Sequence, residues 1–138
     1  MAVRHLDHLN LTVANFAATV DWYRRVFGFA VVEEAVDERG VRWGVIQADQ
    51  ALLCIYEHPD LRLEDCEAKR RKGRHAVCHL GLRIDDRAAW EAIVEREGLE
   101  ILYGGEVRWP HSTAWYVRDP TGWEIEVVLW DEDRVRFD

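Results

Sequence analysis

Two short runs of this chain are near copies of one another. His8-Leu9-Asn10-Leu11-Thr12-Val13 and His79-Leu80-Gly81-Leu82-Arg83-Ile84 share the pattern H-L-x-L-x-V/I at an offset of 71 residues. A repeat of that length constrains the architecture more than any other feature, because each copy must be one supersecondary unit. Both runs alternate apolar and other residues with period 2, so both read as strands.

The segment after each run is repeated too. In the first half Phe16, Val20, Tyr23 and Phe27 form a stripe at helical spacing, with Asn15 as N-cap and Gly28 as stop. In the second half Ala89, Ile93 and Val94 give the stripe, Asp85 or Asp86 the cap and Gly98 the stop. Three strand candidates come after each helix: 29–35, 41–48 and 51–57, then 99–107, 113–118 and 123–130. The turn Asp119-Pro120-Thr121-Gly122 separates the last two. The order βαβββ, twice, defines an α+β fold of two modules. Neither half can cover both faces of its sheet and helix alone. Two halves facing each other can, as a curved, cleft-like sheet on which equivalent positions converge. The expected layout is one domain over 1–138: a first module at 5–57, a linker at 58–74 with a helical turn near 63–71, a second module at 75–130 and a polar tail at 131–138.

Charge narrows the partners. Lys plus Arg is 18 and Asp plus Glu is 26, a net charge of −8. Nucleic-acid affinity rests on neutralising phosphates with cations, so this balance argues against a nucleic-acid binder, and equally against an anionic membrane surface. No run approaches the roughly 18 apolar residues of a membrane span, and Met1-Ala2-Val3-Arg4-His5 does not resemble a signal peptide. The expected location is the cytoplasm. Three cysteines, Cys54, Cys66 and Cys78, with no CxxC pair, point to reduced thiols. Seven tryptophans suit a core and an interface, with some left for a pocket.

The chemistry is carried by equivalent positions. His8 and His79 stand at the same place in the repeat, each on the face opposite the most apolar one. Singly, each reads as a solvated polar residue. As a pair on converging strands they are half of a metal site. The last strand adds Glu124 and Glu126 on one face, and Glu126 is flanked by apolar residues. A carboxylate there calls for a partner, although an edge-strand glutamate facing solvent satisfies the same spacing. Two imidazoles and one carboxylate leave open positions on a divalent ion and suit Fe(II) or Mn(II). Counting from the turns makes Cys54 the first-half mate of Glu126. It reads as a small buried hydrophobe, with a thiolate ligand as the alternative. Glu57 has the wrong parity.

At these residues the chain resembles the vicinal oxygen chelate superfamily of glyoxalase I, extradiol dioxygenases, fosfomycin thiol transferases and bleomycin-binding proteins. The segments that carry the resemblance are 6–13, 22–29 and 115–126. It implies a metal held by His8, His79 and Glu126, and it selects Glu126 over Glu124. It implies Fe2+ or Mn2+, with Zn2+, Ni2+ or Co2+ as alternatives, and chelation of two adjacent oxygens of a small substrate. Tyr116, ten residues before Glu126, matches a tyrosine beside the metal in such proteins. Asn10 and Cys54 are the candidate substrate contacts. Cys54 stands where glyoxalase I has a fourth Glu or Gln ligand, which counts against that activity. Asn10, in place of a threonine, and Glu106-Val107-Arg108, in place of a serine-rich loop, count against fosfomycin. His75 and His111 are candidate acid–base histidines by analogy with the dioxygenases. The implied function is a dioxygenase-like metal enzyme, the alternatives being an isomerase or thiol transferase and a drug-binding protein. The resemblance also implies a homodimer in which each site draws on both chains.

Overall fold

Alternation builds the first sheet. The computed structural model describes residues 2–74 and 77–136. In β1 (Leu9–Val13), Leu11 and Val13 are buried, and in β4 (Ala51–Glu57) so are Leu53 and Ile55. These strands pair in parallel, with Leu11 opposite Ile55 and Asn10 opposite Cys54. β3 (Arg42–Ala48) joins β4 and β2 (Ala30–Val36) joins β3, both antiparallel, giving the order β1-β4-β3-β2. The buried face receives α1 (Phe16–Phe27). Asn15 caps α1 through its side-chain oxygen on the Ala18 N–H, and a Glu57 oxygen accepts from the Phe16 N–H at 2.7 Å. A carboxylate on free amides at a helix N-terminus is favourable. Gly28 ends the helix in the left-handed region that its position demands.

The helix is rotated relative to the expected stripe. Its buried residues are Phe16, Thr19, Trp22, Tyr23 and Val26, while Val20 and Phe27 are only half-buried. Thr19 can go inside because its hydroxyl donates to the Asn15 carbonyl at 2.7 Å, so no polar atom is stranded.

The second unit repeats the plan. β5 (His79–Ile84), β8 (Glu124–Trp130), β7 (Ser112–Arg118) and β6 (Val107–Trp109) lie in the order β5-β8-β7-β6, again with a parallel first pair. α3 (Arg87–Glu97) is capped by Asp86 and stopped by Gly98. It buries Trp90, which packs on Trp115 at 6.4 Å, rather than Ala89, which is exposed. An indole fills the space that a row of small residues would leave open. Asp119 organises the turn before β8: its Oδ1 accepts from the N–H groups of Thr121, Gly122 and Trp123.

Two expectations are corrected by the fold. The strand expected over 99–107 is only Val107–Trp109. Ahead of it a short 3-10 turn, Leu102–Gly104, places Tyr103 at φ +58°, and Gly104 and Gly105 also have positive φ. Two consecutive glycines release the backbone from extended geometry. The thiols are not all reduced: Cys66 and Cys78 are disulfide-bonded, and Cys54 alone is free. The fold of 63–72 brings the two Cα atoms to 5.3 Å, which spacing along the chain does not reveal. The bond ties α2 (Cys66–Arg71) to the residue before β5.

By contacts the chain forms two compact units, Met1–Arg62 and Leu63–Asp138, and α2 goes with the second. No helix among the described residues is long and apolar enough to cross a membrane.

Candidate metal and substrate site

Register places the site residues of the second unit. His79 lies opposite Glu124 and Gly81 opposite Glu126 across the parallel β5–β8 pair, and Tyr116 of β7 lies opposite Glu126. Register partners point to one face, so His79, Tyr116, Glu124 and Glu126 share the face away from α3. Gly81 keeps space open among them: a Cβ there would meet nothing within 4 Å.

Glu126 is engaged at both oxygens. The Tyr116 hydroxyl donates to Oε1 at 3.0 Å, and His79 Nε2 stands 3.2 Å from Oε2. Glu124 is held similarly. The Tyr103 hydroxyl donates to its Oε2 at 2.7 Å, and His79 Nδ1 lies 3.7 Å from its Oε1, within ion-pair reach but beyond a hydrogen bond. The rings interlock edge to face, His79 on Tyr116 at 5.7 Å and Tyr103 on Tyr116 at 5.1 Å. Burial, and then its bond to the Glu126 carboxylate, pushes the Tyr116 phenol up to about 12. The phenol therefore holds its proton more tightly than a free tyrosine does. Its bond to Glu124 likewise raises the Tyr103 phenol.

The remaining candidates belong to the first unit. His8 lies one residue ahead of β1 rather than within it, and its Nδ1 is 2.8 Å from Asp7 Oδ1. That contact lowers the Asp7 carboxyl. Asn10 and Cys54 are register partners on the face opposite α1, as the repeat implied. Burial and the charges of Asp7 and Glu33 raise the Cys54 thiol, which disfavours a thiolate. His111, of the second unit, stands beside Asp131 at the other end of β7 and does not line that unit's cleft. His75 lies outside the described residues.

The Glyoxalase/Bleomycin resistance protein/Dioxygenase superfamily profile matches residues 5–127. The chain belongs to this superfamily. No curated protein matches it significantly in sequence. Among solved structures it is similar to a glyoxylase/bleomycin resistance protein/dioxygenase domain from Frankia sp. EAN1pec, with 14% identity, TM-score 0.75 and 96% of each chain covered. A mutant of the fosfomycin resistance protein FosX from Listeria monocytogenes, complexed with Mn(II) and 1S,2S-dihydroxypropylphosphonic acid, gives 16% identity and TM-score 0.70, covering 95% of this chain and 94% of that one. The antibiotic-binding protein TnmS3 from Streptomyces sp. CB03234 gives 20% and 0.69, covering 94% and 98%. At these identities the likeness is one of fold.

The superfamily implies a metal, and the donors of the chain bear on that. No group of three or more His, Cys, Asp or Glu among the described residues is arranged as a complete metal site. The second unit nevertheless brings an imidazole nitrogen and a carboxylate oxygen to 3.2 Å, a donor pair suited to first-row divalent ions. The Tyr116 hydroxyl donates to the other oxygen of that carboxylate and so restrains its orientation. The donor chemistry fits, with two of the three ligands implied by the resemblance in the second unit and His8 in the first.

Beside His79 the second unit forms a cleft of about 970 Å³. One wall is the β-sheet face with His79, Tyr116 and Glu124, and the other is the segment from Leu63 to Arg70. Tyr103, Trp109 and Trp123 complete an aromatic lining. Sequence reasoning missed Tyr103, because the segment before β6 reads as strand. It named Glu124 but gave it no role. The one available signal for the loop was the Gly104-Gly105 pair.

Proposed function

We propose that the protein is a divalent-metal-dependent enzyme that chelates two adjacent oxygens of a small organic substrate, with a dioxygenase-like reaction. The observation that carries this reading is the His79–Glu126 pair with the Tyr116 hydroxyl bonded to the same carboxylate. His79, Glu126 and His8 would hold the ion, Fe2+ or Mn2+ by donor type, with His8 supplied by the first unit of a partner chain in a homodimer. When bound, such an ion polarises the substrate oxygens as a Lewis acid. The chain's own contribution is positional. Tyr116 fixes the Glu126 carboxylate and keeps a phenolic proton on that face.

A second reading, small-molecule binding without chemistry, is favoured by the four aromatic side chains of the cleft, Tyr103, Trp109, Tyr116 and Trp123, and by the likeness to TnmS3. One experiment separates the two. Elemental analysis of protein purified without chelators should find one divalent ion per chain, lost in His79→Ala. Oxygen uptake with a panel of catechols should follow metal content. Full metal content in His79→Ala would remove the ligand assignment. Metal-free protein that binds the same catechols and consumes no oxygen when loaded would leave the binding reading.

A further inference from the structure

The charged side chains of the second-unit cleft do not cancel. Its four carboxylates are all engaged. Glu64 pairs with Lys72 and Arg74, and Glu67 with Arg70. Asp65 accepts from the Ala68 N–H as the cap of α2, and Glu124 is held by Tyr103 and His79. Of the three cationic lining residues, Arg70 is taken by Glu67. The Lys69 ammonium and the Arg118 guanidinium make no hydrogen bond or ion pair with any described residue. A chain of net charge −8 thus keeps two cations in this cleft outside any hydrogen bond or ion pair among the described residues.

Both cations are placed to be used. Lys69 is half-buried, with its ammonium near enough to Glu64 to lower that carboxyl without closing an ion pair. Arg118 lies opposite Glu124 in the β7–β8 register, on the face that carries His79, Tyr116 and Glu126. Its nearest carboxylate in register is held instead by the Tyr103 hydroxyl. A free guanidinium fork matches two oxygens of a carboxylate or phosphonate. Beside it the lining offers Tyr103, Trp109, Tyr116 and Trp123 as faces and edges for a planar ring.

We propose that this cleft recognises a small planar ring bearing an oxyanion, the oxyanion on Arg118 and Lys69 and the ring against the tyrosines and tryptophans. This deepens the enzyme reading by naming a substrate class, and it rests on that reading only for the adjacent oxygens at His79 and Glu126. Anion recognition itself needs no metal.

Catechol and 3,4-dihydroxybenzoate share a ring and two adjacent hydroxyls and differ by one carboxylate. Their binding is read by quenching of the cleft tryptophans, once in chelator and once with Mn(II). The carboxylate probe should bind about tenfold more tightly in both conditions, as a charge-assisted fork would give, and the margin should shrink with added salt. Arg118→Ala should remove most of that margin and leave catechol unchanged, Arg118→Lys should keep part of it, and Lys69→Ala should lower it less. Equal binding of the two probes, a margin that survives the Arg118→Ala/Lys69→Ala double variant, or no binding of either at millimolar concentration would overturn the proposal. If Mn(II) strengthens neither probe while the carboxylate margin stands, the metal reading fails alone. If Mn(II) strengthens both and no margin exists, the anion site fails alone.

Discussion

Glu126 is a carboxylate with no surplus freedom: one oxygen accepts from Tyr116 and the other faces His79. Removing the Tyr116 hydroxyl leaves Oε1 without its donor. Tyr116→Phe should therefore weaken Mn(II) binding by about 1 kcal/mol, roughly fivefold, measured by calorimetry. The same residue should leave a mark on the alkaline side. Its phenol is raised above the ordinary tyrosine value to about 12. The folded state thus holds that proton more tightly than the unfolded chain does. The stabilisation is complete below about pH 10 and is lost as pH rises through about 12. An ultraviolet titration should show a latest tyrosine step, near 12, that is missing in Tyr116→Phe. A late step that persists in the variant would assign it to another tyrosine.

The elements show which residues speak locally. Asn15, Gly28, Asp86 and Gly98 could be read from the sequence because cap chemistry involves neighbours within a turn. The ends of β4 and the start of β5 also agree with the reading from alternation, 51–57 and the run starting at His79. What spacing could not show depends on contacts made elsewhere. The phase of α1 is decided by Thr19 bonding back to Asn15, and the depth of α3 by Trp90 meeting Trp115. The Cys66–Cys78 bond depends on bringing together two Cα atoms that are twelve residues apart in sequence. Within the site, His79 was legible from the repeat and the Glu124 and Glu126 pair from strand parity, while the choice of Glu126 and the naming of Tyr116 came from the family resemblance. Tyr103 was not legible, because its positive φ lies outside any periodic pattern. A close approach marks Gly44 of β3: a Cβ there would sit 2.6 Å from the Glu33 carbonyl and 2.7 Å from the Phe16 ring. Gly44→Ala should cost about 1–3 kcal/mol in urea unfolding, because α1 would have to lift from the sheet. Gly81→Ala, with open space around it, should leave stability near wild type. Equal losses in both would show that backbone freedom, not the α1 contact, sets the cost at Gly44.

At the scale of the molecule, the repeat is kept in sheet order, in the parallel first pair and in the register that sets Asn10–Cys54 against Gly81–Glu126. The donor types are not kept. The first unit offers His8 and a disfavoured thiolate at Cys54, while the second offers His79 and Glu126. A three-ligand site of the proposed kind therefore needs one residue from a first unit and two from a second. Each unit also exposes an edge strand, β2 in one and β6 in the other, that a partner can cover. If the sites are shared across a homodimer, His8→Ala and Glu126→Ala chains have complementary defects. Each parent homodimer should bind no metal. Co-refolding the two chains and isolating the mixed dimer should restore one site in two. The restored site pairs the intact His8 of the Glu126→Ala chain with the intact His79 and Glu126 of the His8→Ala chain. Sites built within single chains would leave the mixed dimer as empty as its parents, and a monomer in light scattering at micromolar concentration would remove the dimer itself.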